Sequence, residues 1–176
     1  LQTGPWSFID AQGNQIGPSY NSAPLMETGV AYAHNLGLTG AGQTIAIVDG
    51  GFNDNHETIA GRVTSAGNSY AADNHGTMVA SIAAGNSASM IGVAPGASLL
   101  TSDFDYLHLT NATNQASNYG AVAQNNSWGY AGYDVNASSF NAIFGDIYGQ
   151  NYLAALDDYV GLFDGNVVFA VSNDET

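Results

Sequence analysis

Gly42-Gln43-Thr44-Ile45-Ala46-Ile47-Val48-Asp49-Gly50-Gly51-Phe52 decides the fold. Ile45, Ile47 and Val48 make a β-strand buried on both faces, as strands of a parallel sheet are. Asp49 closes the strand, and Gly50 and Gly51 allow the chain to turn sharply behind it. In open parallel sheets, sites form at the carboxyl ends of the strands. Asp49 is therefore a candidate functional carboxylate.

Downstream, Asn74-His75-Gly76-Thr77-Met78-Val79-Ala80-Ser81-Ile82-Ala83-Ala84-Gly85 reads as a short, small-residue helix. Asn74 is a suitable N-cap, and Met78, Val79, Ile82 and Ala83 recur at helical spacing, which predicts that this face is buried. His75 then sits at the positive end of the helix. A histidine changes charge near neutral pH, so a strand-ending Asp followed by a helix-starting His can supply an orienting carboxylate and a general base.

These two stretches resemble those of the subtilisin-like serine peptidases, the subtilase family, in which they carry two members of a Ser-His-Asp triad. Three further stretches match the family in order: Gly92-Val93-Ala94-Pro95-Gly96-Ala97, Asn125-Asn126-Ser127-Trp128-Gly129 and Val167-Val168-Phe169-Ala170-Val171-Ser172-Asn173-Asp174. The resemblance implies an α/β fold, a parallel sheet with helices on both faces. It implies Asp49, His75 and Asn173 as catalytic residues, with Asn173 donating to the oxyanion, and Ser127, Trp128 and Gly129 as the substrate-binding segment, whose backbone pairs with an extended polypeptide.

The chain departs from the family at two positions, with Gly50 where a Ser or Thr is usual and Ser172 where a Gly is usual. It also contains no Gly-Thr-Ser-x-Ala-x-Pro segment, the family's nucleophile motif; Gly76-Thr77-Met78 shares only two letters of it. The fold is thus expected to be incomplete without a C-terminal portion, and the serine to come from that portion of the same protein, as a second chain or a missing segment. On this reading the molecule is a serine endopeptidase only when so completed. The alternative is a catalytically dead, subtilisin-like binding or scaffold subunit of an extracellular assembly.

Charge narrows the partners. Of 176 residues, 15 are acidic and one, Arg62, is Lys or Arg, for a formal net charge of −14. Nucleic-acid and anionic-membrane surfaces are bound through clustered Lys and Arg, so neither is expected, and no membrane span is expected because no apolar run is long enough. With no cysteine, disulfides and thiolate metal sites are excluded. This composition fits a secreted or cell-surface bacterial protein. The start, Leu1-Gln2-Thr3-Gly4, reads as a processed or trimmed end.

Taken in order, residues 1–24 read as an N-terminal arm and 25–176 as the N-terminal portion of the peptidase domain. One helix is predicted from Leu25 to Leu36, with His34 near its end facing free carbonyls. Asp54, His56 and Glu57 match no zinc spacing. No cofactor is required for the chemistry; structural calcium on Asp and Asn oxygens is the expected metal, its ligands unassigned. Arg62 is expected in a structural ion pair. Asp103, Asp105 and His108 read as solvated loop residues, with a cleft border or a calcium site as the alternatives. Further strands are predicted at 98–104, 122–127 and 167–171, and helices at 111–120, lying on the sheet through Ala112, Ala116 and Tyr119, and at 151–163, burying Leu153, Leu156, Val160 and Phe163. The Asn-x-Ser/Thr triplets at Asn111, Asn125 and Asn136 are read as chance.

Overall fold

The computed structural model describes residues 8–9, 15–16, 22–68, 70–129, 138, 141 and 144–170. Within the stretch read as an arm, β1 (Phe8–Ile9) and β2 (Gln15–Ile16) pair antiparallel. Helices α1 (Ser22–Glu27) and α2 (Val30–Asn35) follow. The single helix expected over 25–36 is thus two, starting inside the arm. Gly29, at φ 78°, breaks it, because the left-handed conformation it adopts cannot continue a right-handed helix. His34 ends α2 with Nε2 2.8 Å from the distant Val93 carbonyl.

The remaining elements are β3 (Thr44–Asp49), β4 (Val63–Ser65), α3 (Asn74–Ala84), β5 (Ser98–Asp103), α4 (Leu109–Asn118), β6 (Ala121–Asn126), α5 (Ile147–Phe163) and β7 (Asn166–Phe169). The strands form one parallel sheet in the order β4-β5-β3-β6-β7. After β3 the chain runs to the edge strand β4, returns through β5, and then crosses to β6 on the other side. The carboxyl end of β3 is therefore the point where the path reverses, the position at which open α/β sheets form their sites.

Alternation along β3 separates two apolar layers. Ile45 and Ile47, with Leu99 of β5, pack against Ala80 and Ala84 of α3. On the opposite face Ala46 and Val48 meet Ala112 and Ala116 of α4 and Tyr152 and Tyr159 of α5. The expected α/β sheet with helices on both faces is present.

The buried faces of the helices match the predicted ones only in part. In α3 the buried positions are Gly76, Thr77, Ala80, Ser81 and Ala84; of the predicted face, Val79 and Ala83 are partly buried against the core while Met78 and Ile82 are half exposed. Small side chains let this helix lie close to β3, and the hydroxyls of Thr77 and Ser81 are satisfied locally, by Asp73 O and Thr77 O. In α5 the buried residues are Gly149, Tyr152, Ala155 and Tyr159; of the predicted face, Leu156 packs against that core and Leu153 is half-buried, while Val160 and Phe163 are more than half exposed. In α4, Ala112 and Ala116 are buried but Tyr119 is exposed.

Arg62 is held differently from the expected ion pair. Its guanidinium donates to four backbone carbonyls, Thr58 O (2.8 Å), Ala84 O (2.5 Å), Pro95 O (3.2 Å) and Ala97 O (2.8 Å). The planar fork of five N–H groups suits such divergent acceptors. It ties the last turn of α3 to the loop before β4 and the link before β5.

Candidate functional site

Asp49, at the reversing end of β3, is 2 % exposed. Its Oδ1 accepts from Gly50 N at 2.7 Å, so the glycine at this departure position supports the carboxylate through its own backbone N–H. The remaining acceptor capacity points at the first turn of α3. His75 Nδ1 lies 2.8 Å from Asp49 Oδ1 and 3.0 Å from Oδ2. The carboxylate side chain is 3 % exposed and the imidazole 53 %.

Glycines permit this approach. A Cβ on Gly51 would lie 2.2 Å from Ala71 O, and one on Gly76 would lie 2.1 Å from Gly51 O and 3.1 Å from Asp49 Cβ. A Cβ on Gly50 would meet only ordinary contacts, at 3.6 Å or more, so the usual Ser or Thr would fit there.

The helix cap is Asp73, not Asn74. Its Oδ1 accepts from His75 N at 2.7 Å and Gly76 N at 3.3 Å. Thr77 reinforces the same turn: its Oγ1 donates to Asp73 O at 2.5 Å and accepts from Asn53 N at 2.9 Å. Asp73 was legible as a capping type in sequence, but the adjacent Asn74 is one too, and only the backbone conformation decides between them.

His75 is held protonated to higher pH than an ordinary histidine. Its hydrogen bond to Asp49 is the main cause, then the charge of Asp49; burial opposes, and the charge of Asp73 adds to the rise. With Nδ1–H donated to Asp49, the neutral ring presents Nε2 as an acceptor, and Nε2 has no hydrogen-bond partner among the described residues. This arrangement can take a proton from a group brought to the exposed ring edge and stabilise the resulting imidazolium.

The predicted binding segment continues β6 on the neighbouring side. Ser127 N donates to Val48 O at 3.4 Å, and the fully buried Asn126 orients Trp128 through its Oδ1, 3.3 Å from Trp128 Nε1. Trp128 stacks on Phe104 with ring centroids 6.0 Å apart and meets Phe169 edge-on at 6.0 Å. In sequence Phe104 shows only as the end of the strand predicted at 98–104. Gly129 is exposed. Asn173 and Ser172 lie outside the described residues.

Asp103 stands level with Asp49 across the β3–β5 pair and is engaged by His108, whose Nδ1 is 2.7 Å from Oδ1. The two are thus paired rather than separately solvated. In the loop after β3, Asp54 accepts from Tyr70 Oη, His56 faces Thr58, and Glu57 accepts from Ser89. These side chains diverge, and among the described residues no three His, Asp or Glu side chains are grouped to hold a metal.

A model of the Subtilase family matches residues 40–175. No curated protein matches. Among solved structures, MycP1 with its N-terminal propeptide removed is 23% identical at a TM-score of 0.63, over 86% of this chain and 50% of that one. MycP1 from Mycobacterium smegmatis is 22% identical at 0.64, over 86% and 45%. The prenylagaramide maturation protease PagA is 23% identical at 0.63, over 83% and 51%. These likenesses show the fold, and the chain spans about half the length of each.

Proposed function

The chain belongs to the subtilase family, and from that premise we propose that it carries the Asp and His of a serine endopeptidase acting on extended polypeptides. Asp49 holds His75 in the tautomer with Nε2 free and stabilises its protonated form. His75 takes the proton of a serine hydroxyl as the oxygen attacks the substrate carbonyl, and returns it to the leaving amine. The serine comes from outside these 176 residues, and Asn173 donates to the oxyanion. The backbone of Ser127–Gly129 pairs with the substrate as an added strand.

The observation that carries this reading is the buried Asp49 carboxylate on Nδ1 of a half-exposed imidazole. A dead scaffold has no chemical need for that pair. No cofactor enters the proposed chemistry; a structural calcium ion is a further proposal, checked by calcium-dependent melting of the full protein. The acidic, cysteine-free composition and the likeness to MycP1 from the ESX-1 type VII secretion system support an extracytoplasmic bacterial setting.

The test is labelling of the full-length protein with a fluorophosphonate probe, followed by intact-mass analysis. A label on a serine outside this chain, lost in Asp49→Asn and His75→Ala, is expected. A correctly folded full-length protein that takes no label would instead favour a binding subunit.

A further inference from the structure

Resting on the proposed role of His75 in proton transfer, we propose that Asp73 is a positioning residue with two tasks. It fixes the turn that aims His75, and it is a second negative charge that adds to that of Asp49 in setting the pH at which His75 works.

A cap by itself does not require a charge, because Asn and Ser at this position serve as well as Asp. The two cap bonds use only Oδ1 of Asp73; Oδ2 accepts no hydrogen bond among the described residues. The side chain packs over the turn that follows Asp49. A Cβ on Gly50 would lie 3.8 Å from Asp73 Cγ and 3.9 Å from Oδ2, and one on Gly51 3.3 Å from Asp73 Cβ. Two carboxylates thus meet at His75 from two elements, Asp49 on its ring from the end of β3 and Asp73 on its backbone N–H from the cap of α3. On β5, Asp103 is already occupied by His108.

No basic side chain relieves this field. The sequence has a single Lys or Arg, and that residue, Arg62, is committed to carbonyls around the far end of α3. The charge of Asp73 also contributes to the raised proton affinity of His75. Because the ring is half exposed, its share is open to screening by salt. A base so tuned is stronger once deprotonated, but it becomes active only at higher pH.

The experiment uses the full-length protein and the variants Asp73→Asn, Asp73→Ser and Asp73→Ala. The His75 ring resonance, identified by its loss in His75→Gln, is titrated by NMR at low and high salt, and each protein is melted. Asp73→Asn and Asp73→Ser are expected to keep the wild-type Tm yet titrate His75 at lower pH, with the gap to wild type closing in about 1 M salt, where the Debye length is ~3 Å. Asp73→Ala should add a fall in Tm. The acid limb of kcat/KM should move to lower pH with the titration. Neutral variants that titrate with the wild type at low salt would overturn the proposal. The NMR readout needs no turnover, so failure of the peptidase reading, seen as an unlabelled wild type, is distinguishable.

Discussion

Gly76 approaches Gly51 so closely that a Cβ on the former would stand 2.1 Å from the carbonyl oxygen of the latter. This contact brings the first turn of α3 against the turn after β3, and so sets the His75–Asp49 distance. Gly76→Ala must push the helix outward. Overpacking of this kind costs about 1–3 kcal/mol, to be read from urea unfolding of the full protein. Fluorophosphonate labelling should fall further than stability accounts for, since the displaced atoms are those that aim His75. Gly50→Ser, whose Cβ has room, should leave both almost unchanged.

The Asp49–His75 pair imposes a pH dependence on folding. His75 is raised in the folded state above its ordinary value of 6.5. A raised histidine contributes stability that is fully present below its unfolded value and is lost as pH rises through the folded one. Wild type should therefore lose, as pH rises above 6.5, a margin of stability that Asp49→Asn does not lose. The same variant should reduce turnover by about 10⁴, as expected when the histidine is left in the wrong tautomer. Matching pH profiles for the two proteins would contradict this assignment.

Several of these relationships were readable from residues alone. Ile45-Ala46-Ile47-Val48 predicts a doubly buried strand because both faces of a parallel sheet are covered, and Asp49 at its end marks a candidate site. The helix starting near His75 was equally legible. Its buried face was legible in part: Val79 and Ala83 do pack on the core, but Met78 and Ile82 give way to a stripe of Gly, Ala, Ser and Thr, because close approach to the sheet favours small residues. For α5, two tyrosines 7 residues apart anchor the helix, whereas the sequence reading weighted aliphatic residues. Arg62 showed a lone cation in an acidic chain, which predicts a carboxylate partner. Its carbonyl partners come from segments far apart in sequence, and no local pattern could point to them.

Arg62 is consequently a test of how α3 is anchored. Its four acceptors include Ala84 O at the end of α3 and Ala97 O just before β5. Arg62→Gln removes donors from part-buried carbonyls, and a loss of about 2–4 kcal/mol is expected from the size of such unsatisfied groups. Arg62→Lys should recover little of it, because one ammonium cannot span four divergent acceptors. Chemical denaturation of the three proteins checks the ranking. Recovery of wild-type stability by Lys would mean that charge, not the fork of donors, is what matters.

At the other side of the sheet, Tyr159 couples α5 to β6 through its Oη, which donates to Ala121 O at 2.7 Å. Gly165, just past the helix, lies against the same ring; a Cβ there would come within 2.3 Å of Tyr159 Cζ. Burial pushes the phenol up to about 12 from its ordinary 10.0. The neutral phenol is thus favoured in the folded state, so its contribution is intact below pH 10.0 and lost as pH rises from there towards about 12. Tyr159→Phe should be destabilised at neutral pH by about 0.5–1.5 kcal/mol, the net worth of one hydrogen bond, but should lack this alkaline loss. The stability difference between wild type and variant, measured by urea unfolding from pH 7 to 11, should therefore shrink at the alkaline end. A constant difference would show that Tyr159 ionises no less readily in the folded protein than in the unfolded chain.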